Sequence, residues 1–196
     1  PEFKNKTIVI NSGIDENLII KRETTFGEKI KVLSVANLIK RKNIDKLIQS
    51  CKSFENIELT IIGDGEERKS LNKIDKNVIF KGHLKKEKVL EEMRNSDIFI
   101  LPSVNETLGL VYLEALASGC ITVGTVNDGI SGIIKNEENG FLTKPTIKDI
   151  KNTLEKIISC NKEDLNKIAE QAYFTIKNNT SKACTLKYIQ TIINAL

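Results

Sequence analysis

Two carboxylates stand eight residues apart, Glu106 and Glu114, in the stretch Glu-Thr-Leu-Gly-Leu-Val-Tyr-Leu-Glu. From Leu108 to Ala117 every residue except Gly109 and Glu114 is apolar, which predicts a helix covered on most of its sides. An ionised glutamate in such surroundings is costly unless something hydrogen-bonds it. The partner is either protein, a backbone group or a lysine, or a ligand. Eight residues at 1.5 Å each span at most about 12 Å, roughly the length over which the sugar, diphosphate and ribose of a nucleotide sugar would be laid out. The pattern puts the helix start at Thr107, Leu108 and Gly109, where unpaired N–H groups would face an anion. Gly109 would let the backbone come close to it.

These residues need a frame, and the chain supplies an alternating one. Short apolar runs at Lys31 to Ala36, Ile57 to Ile62, Val78 to Phe80, Ile98 to Leu101 and Ile121 to Val123 read as buried parallel strands. Between and after them, apolar residues recur at helical spacing: Ile44, Leu47, Ile48, Cys51 and Phe54; Val89, Leu90 and Met93; Ile147, Ile150, Leu154, Ile157 and Ile158. Only helices are expected after Thr146, over 146–160, 163–177 and 181–195. The order predicts an α/β, doubly wound, Rossmann-like parallel sheet with C-terminal helices. Residues 1–29 are less regular and read as a linker with one strand at Thr7 to Ile10. In such sheets ligands bind beyond the carboxyl ends of the strands. The five strand exits carry Asn37; Gly63, Asp64 and Gly65; Lys81, Gly82 and His83; Pro102 and Ser103; Gly124 and Thr125. Turn geometry alone favours such residues at each exit, and together they outline one crevice.

Several function classes fall away. Gly-Asp-Gly-Glu-Glu-Arg at 63–68 begins like a dinucleotide fingerprint but ends in arginine and follows the second strand, and no GxxxxGK[ST] phosphate loop exists. His83 is the single histidine, which removes most histidine-based catalytic schemes. Thirty basic and 26 acidic residues are too evenly mixed for a nucleic-acid surface. Four cysteines without CxxC spacing, Cys51, Cys120, Cys160 and Cys184, are expected to be free buried thiols in a reducing compartment. No apolar run approaches the roughly 20 residues of a membrane span. The protein is therefore expected in the cytoplasm. The chain opens Pro-Glu-Phe and its single methionine is Met93, which predicts a fragment with a cloning remnant at its start.

The stretch PSVNETLGLVYLEALASGC closely resembles the donor-binding motif of glycosyltransferase family four, retaining enzymes of the GT-B fold. Most of the chain shares the resemblance, through VLSVANLIKRKNIDKLIQS, LTIIGDGEERKSL, VIFKGHLKKEKVLEEMRNSDIFILPS and EENGFL, while VINSGIDENLI resembles the family's interdomain junction. The resemblance implies that residues 1–29 end a missing N-terminal domain and that 30–196 form the C-terminal, nucleotide-sugar-binding domain of a GT-B enzyme. It further implies that Glu106 acts on the donor sugar and that Thr107, Leu108, Gly109 and Leu110 line sugar and diphosphate. Glu114 would hold the ribose, and Lys42 would bind phosphate. Asn37 stands where the family usually has arginine, Ala36 where it has glycine, Ile121 where proline is usual and Gly132 where glutamate is common. Gly82, His83 and Leu84 match the loop beside the base, and Gly63 with Asp64 borders the same crevice.

The implied donor is a UDP- or GDP-sugar, and the implied acceptor binds the missing domain. No cofactor and no metal ion are implied, since no Asp-x-Asp cluster is present. Family habit suggests surface-polysaccharide or lipopolysaccharide assembly, with peripheral association at the inner face of a membrane. The fragment alone is expected to bind donor weakly and transfer nothing. A noncatalytic nucleotide-binding module and a nucleotide-sugar epimerase or phosphorylase-like enzyme of the same fold stay open as alternatives.

Overall fold

The computed structural model describes residues 12–194. The strand expected at Thr7 to Ile10 lies outside the described residues. Among the described residues six strands form one parallel sheet: β1 (Ile30–Val35), β2 (Ile57–Ile62), β3 (Ile79–Gly82), β4 (Ile98–Ile100), β5 (Ile121–Thr125) and β6 (Phe141–Thr143), in the order β3-β2-β1-β4-β5-β6. Every residue of β4 and β5 is buried, because helices cover both faces of the central sheet, and apolar runs without alternation are what such strands need.

Among the described residues seven α-helices surround it: α1 (Ile44–Cys51), α2 (Arg68–Leu71), α3 (Lys86–Arg94), α4 (Leu110–Ala117), α5 (Ile147–Ser159), α6 (Lys162–Lys177) and α7 (Ser181–Ile193). One layer packs α1 against α2 and α5; the other packs α4 against α3 and α6. The C-terminal helices begin at side-chain caps, each worth about 1 kcal/mol. Thr146 Oγ1 accepts from the Asp149 N–H at 3.1 Å, and Asn161 Oδ1 accepts from that of Asp164 at 2.9 Å. Ser50 Oγ, buried, donates to the Ile147 carbonyl at 3.0 Å and ties α1 to the start of α5.

Four readings of the pattern need correction. The strand β6 is too short for any periodicity to announce it, and it exists because Phe141 and Thr143 pair with Val123 and Thr125 of β5. Helix α1 stops at Cys51, so Phe54 lies in the turn that follows. Ile147 begins the first turn of α5 and remains 41% exposed, off the buried face that spacing gave it. All four cysteines are free, but only Cys51 and Cys120 are buried, their thiols pushed up to about 12 by that burial, whereas Cys160 and Cys184 are half-buried.

Residues 12–29 lie against the ends of several helices. Ile14 bridges to Thr180, and the Ile20 N–H donates to the Ala117 carbonyl at 2.8 Å. Arg22 donates to the carbonyls of Arg94 and Ser96 at 2.7 Å each and pairs with Asp97 at 3.2 Å.

Candidate functional site

The strand order reverses between β1 and β4. Chain leaving β1 turns toward β2 and chain leaving β4 turns toward β5, so the two exit loops part and leave a crevice at the carboxyl edge. A cleft of about 670 Å³ opens there, lined from the ends of β1, β2 and β4, the loop after β3 and the first turns of α3 and α4.

One wall is a side-chain network. The loop after β1 makes a tight turn over Lys40–Lys42 and ends at Asn43, whose φ of 52° is left-handed and tolerable for asparagine. Asn43 Nδ2 donates to the Pro102 carbonyl at 2.9 Å, and the Val104 N–H donates to the Arg41 carbonyl at 2.9 Å, so the β1 and β4 exits are joined. Onto this joint closes Glu106. Its Oε1 accepts from Lys42 Nζ, from Arg41 Nη1 at 2.7 Å and from Ser103 Oγ at 2.6 Å. Burial alone would raise the Glu106 pKa; the hydrogen bonds from Lys42 and Ser103 and the charges of Lys42 and Arg41 outweigh it and hold the carboxyl below its ordinary value. The backbone is gripped as well: Asp128 Oδ1 accepts from the N–H of Glu106 at 2.9 Å and of Gly129 at 3.0 Å. Gly129 must be glycine for this contact, since a Cβ would lie 2.1 Å from the Thr107 carbonyl oxygen.

The next part of the wall is α4. The expected helix start at Thr107 and Leu108 is corrected: α4 begins at Leu110, behind Gly109 at φ 74°, which breaks the helical path. A Cβ on Gly109 would stand 2.7 Å from the Tyr112 ring. That ring is fixed by its hydroxyl, which donates to the Leu101 carbonyl at 2.7 Å, and by an edge-on contact with Phe99 at 5.9 Å. Gly109 brings no side-chain cap; the Tyr112 N–H donates to the Gly109 carbonyl at 3.0 Å, and the N–H groups of the cleft-lining Leu110 and Val111 have no hydrogen-bond partner among the described residues. One turn further, Glu114 pairs with Lys86 Nζ at 3.3 Å; the glutamate side chain is 19% exposed and the lysine 62%.

The opposite wall is made of backbone. Gly63 approaches Ala36 so closely that a Cβ would lie 1.8 Å from its carbonyl oxygen, and the Gly63 N–H donates to the Gly82 carbonyl at 2.7 Å. The Leu38 N–H donates to the Asp64 carbonyl at 2.9 Å, while the Asp64 carboxylate accepts from the Gly65 N–H at 2.8 Å. His83 and Leu84 complete this side.

Of the residues expected from sequence, Asn37, Lys42, Gly63, Asp64, His83, Leu84, Glu106, Gly109, Leu110 and Glu114 all line the cleft. Gly82, Thr107 and Leu108 do not; Gly82 contributes through its carbonyl and Thr107 packs its own against Gly129. Sequence reasoning passed over Arg41, Asn43, Lys86, Tyr112 and Asp128, and took Ser103 only as a strand exit. The basic run Lys40, Arg41 and Lys42 was a signal for Arg41; nothing local pointed to Asp128, which arrives from another loop. Among the described residues no three His, Cys, Asp or Glu side chains gather as a metal set, and no helix is long and apolar enough to cross a membrane.

The family described as "Glycosyl transferases group 1" matches residues 15–174. Sulfoquinovosyl transferase SQD2 of Arabidopsis thaliana is 30% identical over 156 residues, covering 72% of this chain and 31% of that protein. Lipopolysaccharide core biosynthesis glycosyltransferase LpsE of Rhizobium meliloti is 27% identical over 165 residues, 81% of this chain and 48% of its own. The crystal structure of Anabaena Alr3699/HepE in complex with UDP and glucose superposes with a TM-score of 0.81 at 20% identity, covering 95% of this chain and 57% of that one. The chain thus spans 31% and 48% of the two relatives' length.

Proposed function

This chain belongs to the group 1 glycosyl transferases, and we propose that its cleft holds the nucleoside diphosphate of a sugar donor for transfer with retention of anomeric configuration, in the manner of family four. The observation that carries this reading is the alignment of Lys42, Glu106, the uncapped start of α4 and Glu114 along one wall of the switch-point cleft. A cation and open N–H groups suit a diphosphate. The two carboxylates suit hydroxyl groups on either side of it, Glu106 toward the sugar and Glu114 toward the ribose. His83 and Leu84 flank the base, with Gly82 behind them holding Gly63, and Gly63 with Asp64 closes that end.

Residues 30–196 act as the donor domain, and the acceptor is bound outside them. Lys42 and the α4 N-terminus offset the charge on the departing diphosphate without a metal ion. The acceptor belongs to surface-polysaccharide or lipopolysaccharide assembly, as the name of the Rhizobium relative suggests, at the cytoplasmic face of a membrane. Orienting an acceptor supplies roughly 7 kcal/mol or more of barrier lowering, so this chain alone binds donor and transfers nothing.

Calorimetric titration with UDP, GDP and their sugars tests the reading. One base is expected to bind, its nucleotide sugar more tightly than the free diphosphate, and Glu106→Ala is expected to abolish that extra affinity. Absence of heat with every nucleotide would turn the assignment toward a noncatalytic scaffold.

A further inference from the structure

Two cations share Glu106, and they are not equivalent. Lys42 reaches it from within the cleft, with its side chain 11% exposed; Arg41 reaches the same oxygen at 2.7 Å from the rim, 42% exposed. Lys42 lines the cleft and Arg41 does not. The lysine suited to a diphosphate is therefore already neutralised by a carboxylate of the same protein.

Charge around the cleft sharpens the difficulty. Among its lining residues Lys42 and Lys86 are cationic, whereas Asp64, Glu106 and Glu114 are anionic, and Lys86 is spent on Glu114. An entering diphosphate competes with Glu106 for Lys42. Once Lys42 turns to phosphate, a Glu106 with no other cation would be left poorly solvated beside a polyanion. Arg41 meets that need. Its backbone is fixed by the Val104 N–H, its Nη1 already donates to Oε1, and no hydrogen bond to Oε2 is found among the described residues, which leaves that oxygen free for a second N–H of the planar fork.

We infer that Arg41 is a counter-ion exchange residue: on donor binding Lys42 leaves Glu106 for the diphosphate, and Arg41 keeps Glu106 ionised and aimed at the sugar. This rests on the reading of the cleft as a nucleoside diphosphate site. Arg41 acts through Glu106 and is a positioning residue.

Titration with UDP and GDP of wild type, Arg41→Met, Arg41→Lys, Glu106→Gln and the double variant tests the exchange. Glu106→Gln is expected to bind free diphosphate about 5-fold more tightly, because the competitor for Lys42 is gone. Arg41→Met is expected to bind about 10-fold more weakly, with Arg41→Lys restoring the charge but not the fork and so only part of the loss, whereas in the Glu106→Gln background Arg41→Met should change affinity by less than about 2-fold. Equal losses in both backgrounds would mean that Arg41 touches phosphate itself, and no loss in either would mean that it is idle; each overturns the exchange while leaving the cleft a nucleotide site. Failure of every protein, wild type included, to bind either nucleotide would instead bring down the parent reading. Unchanged thermal melting of the variants separates lost affinity from lost fold.

Discussion

The two walls of the cleft are built from different materials. Along β1, β4 and α4 the groups are side chains locked to one another: Glu106 is held by Lys42, Arg41 and Ser103, and its own backbone by Asp128. Along β2 and β3 the stitching is backbone to backbone, at Ala36 with Gly63, Gly63 with Gly82, and Leu38 with Asp64. The first wall can tell charges and hydroxyl patterns apart. The second offers shape and edges, which suits a flat base more than an anion. Glu114 stands between them, tied to a lysine whose side chain is mostly exposed.

The largest effect should come from the backbone wall. Gly63→Ala places a Cβ within 1.8 Å of the Ala36 oxygen at φ 125° and is expected to cost about 3–5 kcal/mol. Gly82→Ala, at φ 65° with nothing within 4 Å of the new atom, should cost only about 1–2 kcal/mol of left-handed strain. Thermal melting of both decides it, and similar losses would show that close approach is not what holds this wall.

A smaller effect should separate the two carboxylate-bearing ends. Lys42→Met is expected to lower affinity for a nucleoside diphosphate and for inorganic pyrophosphate alike, by roughly 10-fold to 100-fold, the worth of a charged hydrogen bond. Glu114→Gln should weaken the nucleoside diphosphate by about 5-fold and leave pyrophosphate unchanged, since pyrophosphate has no ribose. Calorimetry with the two ligands side by side measures the contrast. A loss for pyrophosphate in Glu114→Gln would return Glu114 to a purely structural partner of Lys86.

The smallest effect concerns acid. Because the Glu106 carboxyl is held below its ordinary value in the folded chain, the stability it contributes is complete above the ordinary carboxylate range, about 4.3, and is lost as pH falls through the lowered folded value. The difference in melting temperature between wild type and Glu106→Gln should therefore shrink toward pH 3. A gap that stays constant between about pH 7 and pH 3 would mean that the network does not favour the ionised form, and the contrast between the walls would weaken accordingly.

Sequence by itself determined the class of fold and most of the cleft. Uninterrupted apolar runs fix buried parallel strands because both faces of such strands are covered, and the rule that ligands meet the carboxyl edge then points to the exits where Asn37, Gly63, His83 and Glu106 stand. Resemblance added Lys42 as a phosphate ligand and divided the two carboxylates, Glu106 to the sugar and Glu114 to the ribose. Helix boundaries were less legible: hydrophobicity continues through Leu108, but Gly109 sits at positive φ, where a Cβ would strike the Tyr112 ring, and no periodicity reports a ring arriving from the next turn. The edge strand β6 is likewise a product of β5 offering unpaired groups rather than of its own three residues. Tertiary structure alone decided who holds Glu106. Arg41 and Lys42 come 65 and 64 residues before it and Asp128 lies 22 residues after it, and hydrogen bonds across such separations follow from the sheet order, which brings the β1, β4 and β5 exits together, and not from any local preference.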